Sequence, residues 1–457
     1  MNILMMSNTY FPITGGLEKS IQSFARQFRK MGHKVLIAAP EYPGVSKKEY
    51  GVARIPAIQN FKGTDFSVNL PIPGIVEKFI EVFRPDIIHA HHPFFMGDMA
   101  MRVAGQYNIP LVFTYHIMFE QYTDYFPLNS ETGKNFVIEL ATGYANLCDH
   151  VIVPSESVRE MLIERKVKTP VWVVPTGVDT KAFRKGDRAG MRRRLKIPKD
   201  AFTAGYTGRV SPEKNLEYLG RAVSLFLKRQ KNARFLVVGK GSYSEPLEKL
   251  FRGQGVLDRV HFAGVLRGRK LVDAYHAMDA FAFASQSETQ GMVVTEAMAA
   301  GLPVAALDGP GVREVVKNRA NGRLLPAGAR PESFVKALEG LMREKDESMR
   351  AAALATAESF SMENCALKAL HAYQSVKTRR RFSKRIHRPW ETVMNRIKTE
   401  WEMLANLGKA AGTALAEAAA APLHVPAGAA KRKKGKAPAG KSTLVRTQEM
   451  DEASVLA

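Results

Sequence analysis

Two glutamates, Glu288 and Glu296, stand in the stretch SETQGMVVTEAMAAG (287–301) with Gly291 and an apolar run between them. A loop ending at Gly291, followed by a helix that starts near Met292 and stops at Gly301, leaves the amides of Gly291, Met292 and Val293 open at the helix start. Open amides of this kind bind anions, phosphates above all, and a glycine lets the anion come close to the backbone. Glu296, one turn into the helix, can accept from a ribose diol, and Glu288 in the loop can accept from sugar hydroxyls beyond a diphosphate. Taken singly, each glutamate is an ordinary solvated residue. A glycosidase pair needs facing carboxylates roughly 5 to 9 Å apart, and one loop with its own helix places them poorly for that.

Cations and imidazoles follow the same logic. Arg209 and Lys214 in GRVSPEKN lie on either side of a Ser-Pro turn, directly after an apolar run, so both can face one anion; standing alone they would be two solvated surface bases. His116 ends the run LVFTYH and would present an imidazole at a strand end. Gly15 and Gly16 follow the first apolar run, where a plain turn and a close approach to phosphate or sugar are both open. His89, His91 and His92 have no carboxylate or cysteine ligand set beside them, so no metal is expected there.

The elements that must position these residues are legible as alternating segments. NILMMSN, KVLIAAP, DIIHAHH, PLVFTYH, HVIVPS and VWVVPTG are apolar throughout, as strands buried on both faces of a parallel sheet are. Between them, 18–31 carries Ile21, Phe24, Phe28 and Met31 on one stripe, a crossover helix. A basic, strand-poor stretch near 180–200 intervenes, and the alternation restarts with TAGYTGRV, ARFLVVGKG, RVHFAGV, DAFAFASQS and LPVAALDG. The fold class is therefore α/β, two doubly wound Rossmann-like domains facing a cleft at the carboxyl ends of their strands. The expected divisions are 1–180 for an acceptor domain, 200–358 for a nucleotide-sugar domain, 359–380 for a helix crossing back to the first domain, and 381–457 for a basic amphipathic helix and disordered tail. Asp279 is expected to be structural.

Glu288, seven residues, Glu296 and then AMAAGLPV resemble the signature of retaining, GT-B type glycosyltransferases of family 4. TGGLE (14–18), TYHIMFEQY (114–122), PTGVD (175–179) and GRVSPEKNLEYL (208–219) stand where that family carries its matching motifs, and the resemblance spans roughly residues 1 to 375. It implies a nucleoside diphosphate sugar as donor, held by Gly15, Gly16, Gly208, Arg209, Lys214, Glu288, Gly291, Met292, Val293 and Glu296. By the same resemblance His116 hydrogen-bonds the transferred sugar, Arg209 and Lys214 neutralise the departing diphosphate, and Glu288 completes the catalytic set. The chain contains no Asp-x-Asp, the usual metal clamp for nucleotide diphosphates, so catalysis without metal or other cofactor is expected.

Residues 91–127 are similar to bacterial enzymes that put glucose on diacylglycerol and to phosphatidylinositol mannosyltransferases, with Phe119, Tyr122 and Tyr125 as acceptor-channel candidates. A lipid acceptor and an anionic membrane surface would rationalise a formal charge of +23 in 457 residues. From residue 378 onward sixteen Lys or Arg face seven Asp or Glu, a net of +9. Trp390, Val393, Met394, Ile397, Trp401 and Leu404 recur at spacings of three and four in 386–422, which fits an interfacial helix or one docked on the protein. With no signal peptide at the start and no apolar run long enough to span a bilayer, the expected location is cytoplasmic, peripheral on the inner face of the cell membrane. Cys148 and Cys365 form no disulfide or metal framework. Rival readings are a glycosyltransferase acting on a saccharide acceptor in cell-envelope polysaccharide synthesis, a nonhydrolysing sugar-nucleotide epimerase and, more remotely, a nucleic-acid-binding protein; no nucleic-acid module is evident, and nucleic acid is not an expected partner.

Overall fold

The structure, a computed structural model, describes residues 1–13, 15–46, 49–58, 68–69, 75–118, 131–344, 346–377 and 389–420. The first unit opens with β1 (Asn2–Met6), α1 (Gly16–Lys30), β2 (Lys34–Pro40), β3 (Val52–Ile55) and a small antiparallel ribbon, β4 (Ala57–Ile58) with β5 (Val68–Asn69). It continues through α2 (Ile75–Phe83), β6 (Ile87–Ala90), α3 (Met96–Tyr107), β7 (Leu111–Thr114) and α4 (Glu131–Leu147), then β8 (His150–Val153), α5 (Glu156–Glu164) and β9 (Val171–Val173). Seven of these strands form one parallel sheet in the order β3-β2-β1-β6-β7-β8-β9.

After the short helices α6 (Thr180–Phe183) and α7 (Arg188–Arg194) the plan repeats. The second unit contains β10 (Phe202–Thr207), α8 (Leu216–Arg229), β11 (Ala233–Val238), α9 (Ser244–Gly253), β12 (Val260–Gly264) and α10 (Arg269–Ala277). It goes on through β13 (Ala280–Phe283), α11 (Met292–Ala299), β14 (Val304–Leu307), α12 (Val312–Val315), β15 (Gly322–Leu325), α13 (Pro331–Glu344) and α14 (Glu347–Ser359). Its parallel sheet runs β12-β11-β10-β13-β14-β15. In both sheets the first strand lies inside, with its sequence successor on one side and a later strand on the other. The loops that follow β1 and β6, and those that follow β10 and β13, therefore diverge and leave a crevice at the carboxyl ends of the strands, where α/β sheets bind ligands.

The expected two-sheet α/β plan is what the chain adopts, and the reason is visible in burial. β1, β6, β7, β10 and β13 have almost every residue buried, because helices cover both faces. Ile21, Phe24 and Phe28 of α1 pack on one face of the first sheet, together with Ala369, Tyr373 and Val376 of α15 (Met362–Lys377). The last helix of the second unit thus hands the chain back to the first. Cys148 and Cys365 are buried and free.

Asp279 is the pin of the inter-unit stretch: its carboxylate accepts from Arg188 at 2.6 Å, Arg192 at 2.7 Å and the Thr203 amide at 2.8 Å. Arg192 is 3% exposed and also donates to the carbonyls of Ala277 and Ala201. Part of the basic stretch between the units is therefore internal packing, with its charge offset by Asp279.

The final helix, α16 (Pro389–Ala420), lies across α3 and α4. Thr399 and Ala410 are buried on its inner side, Met403 joins the first-unit core, and Asn406 donates to the Leu140 carbonyl at 3.3 Å. Arg102 of α3 grips Glu400 through Nε at 2.6 Å and Nη2 at 3.2 Å. Of the apolar row singled out in the sequence, Trp401 and Leu404 face solvent on the other side. Among the described residues no helix is long and apolar enough to cross a membrane.

Candidate active site

The loop after β13 and the start of α11 hold most of the predicted donor residues. Gly291 is the N-cap of α11 at φ 71°, ψ 48°, a left-handed conformation that glycine adopts without a Cβ clash. The Val294 amide closes the first turn on the Gly291 carbonyl at 2.8 Å. The helix ends at Ala299, with Gly301 left-handed at φ +79°, and β13 stops at Phe283. Across the crevice, α1 begins at Gly16 with Gly15 as its N-cap. A Cβ added to Gly16 would lie 3.9 Å from the Met292 sulfur. An N-terminus from each unit thus lies at the crevice, that of α1 with the buried Glu18 carboxylate in its first turn.

Two of the predicted acidic and basic side chains of the second unit are paired with each other. Lys214 Nζ donates to Glu288 Oε1 at 2.8 Å, with 18% and 17% of the two side chains exposed. Glu288, expected on sugar hydroxyls, thus meets the cation expected on the diphosphate. Lys214 is fixed by the short 3-10 turn 212–214 after β10, and Asn215 ties that turn to the strand before Glu288 by donating to the Ala284 carbonyl at 3.1 Å. Arg209 is exposed, and its carbonyl accepts from the Tyr206 hydroxyl at 2.7 Å. Gly208 has φ +151°, and a Cβ there would lie 2.8 Å from that same hydroxyl. Glu296, expected on a ribose diol, accepts from the Tyr275 hydroxyl through Oε2 at 2.7 Å. Burial and the Glu296 charge together push the Tyr275 phenol well up, so it stays a donor.

The first unit contributes histidines stripped of charge. His89 lies in β6, His91 and His92 directly follow it, and His116 comes two residues after β7 ends at Thr114, not at the strand end expected. His89 and His92 are held down to about 3 by burial, and His91 and His116 lie well below the ordinary imidazole value for the same reason. His91 Nδ1 and His116 Nε2 are 2.8 Å apart, their rings stacked at 5.1 Å. Two neutral imidazoles share one proton on that line. His91 Nε2 is buried without a partner, and an orphaned N–H is costlier than an orphaned lone pair, so the proton of His91 belongs on Nδ1. His116 then accepts at Nε2 and carries its own proton on Nδ1, free to donate. His89 links Thr114, at 2.6 Å, to Tyr373 of α15, also at 2.6 Å. His92 Nδ1 accepts from the Asn8 amide at 3.2 Å. His89 and His92 thus make structural bonds, and among the described residues no three His, Cys, Asp or Glu side chains are placed to hold a metal ion.

Three contacts that the sequence did not reveal join the two units around His116. Thr289, next to Glu288, donates its hydroxyl to the His116 carbonyl at 2.8 Å. Gln290 accepts from the Thr176 amide and donates to the Thr176 carbonyl, both at 2.7 Å, while buried. Thr176 belongs to PTGVD, and its hydroxyl pairs with Ser20 of α1 at 2.7 Å. Glu314 of α12 accepts from the amides of Glu156 and Ser157 at 2.7 and 2.8 Å, at the start of α5. No sequence pattern marks such pairs, since each is local to neither partner. Phe119, Tyr122 and Tyr125, the acceptor candidates, lie outside the described residues.

Comparison with known proteins gives the same picture from another side. Residues 14–182 match the family described as Glycosyltransferase Family 4 and residues 187–357 the one described as Glycosyl transferases group 1. The chain is 30% identical over 330 residues to an alpha-monoglucosyldiacylglycerol synthase of Streptococcus pneumoniae, covering 71% of this chain and 75% of that protein. It is 27% identical over 364 residues to a GDP-mannose-dependent alpha-mannosyltransferase of Mycobacterium tuberculosis, covering 77% and 91%. Its fold matches the Anabaena protein HepE, solved in complex with UDP, at a TM-score of 0.66 and 20% identity, over 82% of this chain and all of that one.

Proposed function

Because the chain belongs to glycosyltransferase family 4 and is a hexosyltransferase of the GT-B plan, we propose that it moves a hexose from a nucleoside diphosphate sugar, UDP-glucose, to a lipid acceptor such as diacylglycerol at a membrane surface. The observation that carries this is the meeting of α1 and α11 N-termini beside Lys214 and Glu288. A diphosphate placed there meets helix amides from both units and an ammonium that can leave Glu288 for it. Glu288, released, accepts from sugar hydroxyls, and Glu296 reaches the ribose diol with its second oxygen. A uracil base is supported by the UDP bound in HepE, and glucose and diacylglycerol by the name of the pneumococcal relative.

The reaction keeps the anomeric configuration. The bond between the anomeric carbon and the β-phosphate oxygen breaks, and the electron pair leaves with the nucleoside diphosphate. Arg209, Lys214 and the amides of Gly291, Met292 and Val293 stabilise the charge that grows there. The acceptor hydroxyl attacks from the face the diphosphate leaves, and its proton passes to the departing phosphate oxygen. His116, neutral and donating from Nδ1, holds the sugar without adding charge, and Gly15 and Gly16 let the donor lie close to the backbone. No metal is assigned to this scheme: the chain has no Asp-x-Asp, and its own cations face the diphosphate. The enzyme would work in the cytoplasm, against the inner face of the membrane.

Incubation with radiolabelled UDP-glucose, UDP-N-acetylglucosamine or GDP-mannose and a membrane lipid extract tests the proposal. Label from UDP-glucose in a chloroform-soluble product is expected. Label confined to water-soluble oligosaccharide would replace the lipid acceptor by a saccharide one, and conversion of UDP-N-acetylglucosamine without any acceptor would identify an epimerase.

A further inference from the structure

The outward face of α16 is anomalous for a helix packed on a protein. Its inner side carries Thr399, Met403, Asn406 and Ala410 at spacings of four, three and four, and these meet α3, α4 and the first-unit core. At about 100° per residue the opposite side carries Trp401 and Leu404, and they are 72% and 62% exposed, with Leu407 at their flank 46% exposed. Burying a tryptophan is among the larger single gains a fold can make, yet this one is left out. In the sequence the same row begins earlier, with Trp390, Met394 and Ile397 preceding Trp401 at spacings of four, three and four.

Charge says what covers that face. Lys398 and Lys409 stand 75% exposed beside the row, with loose carboxylate partners, Glu402 at 3.8 Å and Glu139 at 3.9 Å. The chain just before α16 carries Arg379, Arg380, Arg381, Lys384, Arg385 and Arg388, and the chain after it carries Lys431, Arg432, Lys433, Lys434 and Lys436. An apolar, tryptophan-bearing stripe flanked by cations at both ends has the composition of a helix lying in the plane of an anionic lipid surface. A second copy of this chain would set those runs against each other, like charge on like.

We infer that the outward face of α16, centred on Trp401 and Leu404, is a seat for an anionic membrane surface. This deepens the lipid-acceptor reading and stands without it. Full-length protein floated with vesicles of phosphatidylcholine containing phosphatidylglycerol should bind, and bind less as salt rises. The Trp401→Glu/Leu404→Glu variant, whose changes touch no packed residue, should keep its thermal midpoint and lose vesicle binding about tenfold or more. Undiminished binding by this variant would overturn the seat. So would a wild-type dimer in solution that the variant dissolves, since the face would then belong to a second copy. Transfer to vesicle-embedded dioleoylglycerol should fall with binding, while transfer to soluble dihexanoylglycerol should stay within about twofold of wild type, because the chemistry is elsewhere. Wild-type protein that binds vesicles through α16 but labels neither lipid would leave the seat standing and sink the acceptor reading alone.

Discussion

The two units share one topology and solve opposite electrostatic problems at the same place. At the switch point of the first sheet stand four imidazoles that burial keeps neutral, two of them held down to about 3. At the switch point of the second stand Lys214, Glu288, Arg209 and Glu296, with Lys214 and Glu288 joined at 2.8 Å. A transferred hexose is uncharged and needs directional hydrogen bonds, whereas a leaving diphosphate is a dianion or more and needs fixed positive charge. On the proposed reading one crevice geometry serves both, because segments at and just beyond the strand ends supply the side chains. The difference teaches that the fold sets where chemistry happens, and local burial sets which kind.

That contrast can be broken in order of expected effect. Lys214→Ala should lower kcat/KM by about 10²- to 10³-fold and weaken nucleoside diphosphate binding in calorimetry, since it removes charge where charge develops. Retained binding and turnover would move the anion site elsewhere. His116→Ala should lower kcat by about 10²-fold while leaving UDP affinity unchanged, because a neutral donor on the sugar sees no phosphate. A loss of UDP affinity equal to that of Lys214→Ala would erase the division of labour between the units.

A smaller effect separates the units by pH. The neutral histidines of the first unit have folded values below the unfolded one, so the unfolded chain binds more protons as pH falls under about 6.5, and stability falls with it. Each such histidine contributes a loss of about 1.4 kcal/mol per pH unit between 6.5 and its folded value, about 3 for His89 and His92. Melting curves from pH 7 to 5 should therefore show a falling midpoint that His92→Gln lessens; a flat profile would mean the imidazoles are hydrated. Smallest of all, Thr289→Val removes one hydrogen bond to the His116 carbonyl and should cost about 1 kcal/mol of stability, read as a small fall in the melting midpoint.

Much of this was legible in the chain itself. Uninterrupted apolar strands gave the two parallel sheets, and Gly291 and Gly301 marked the ends of α11 to within two residues, because left-handed backbone demands glycine wherever it occurs. The apolar row of α16 was legible as a row, but whether it faced the protein was not. Helical period gives the faces of a helix and is silent about which one finds a partner; here the row of Thr399, Met403, Asn406 and Ala410, unremarkable in sequence, is the one that packs.

Sequence by itself determined the layers, the crevice and the residue types that line it, since these follow from local period, glycine geometry and ordered motifs along one strand of text. Tertiary structure alone decided that Lys214 meets Glu288, that His91 fixes the proton of His116, and that Thr289, Gln290 and Glu314 reach across to the first unit. Those pairs join residues dozens to more than a hundred positions apart or depend on which side of a ring is buried. Their energies come from desolvation and distance, and neither exists until the chain has closed on itself.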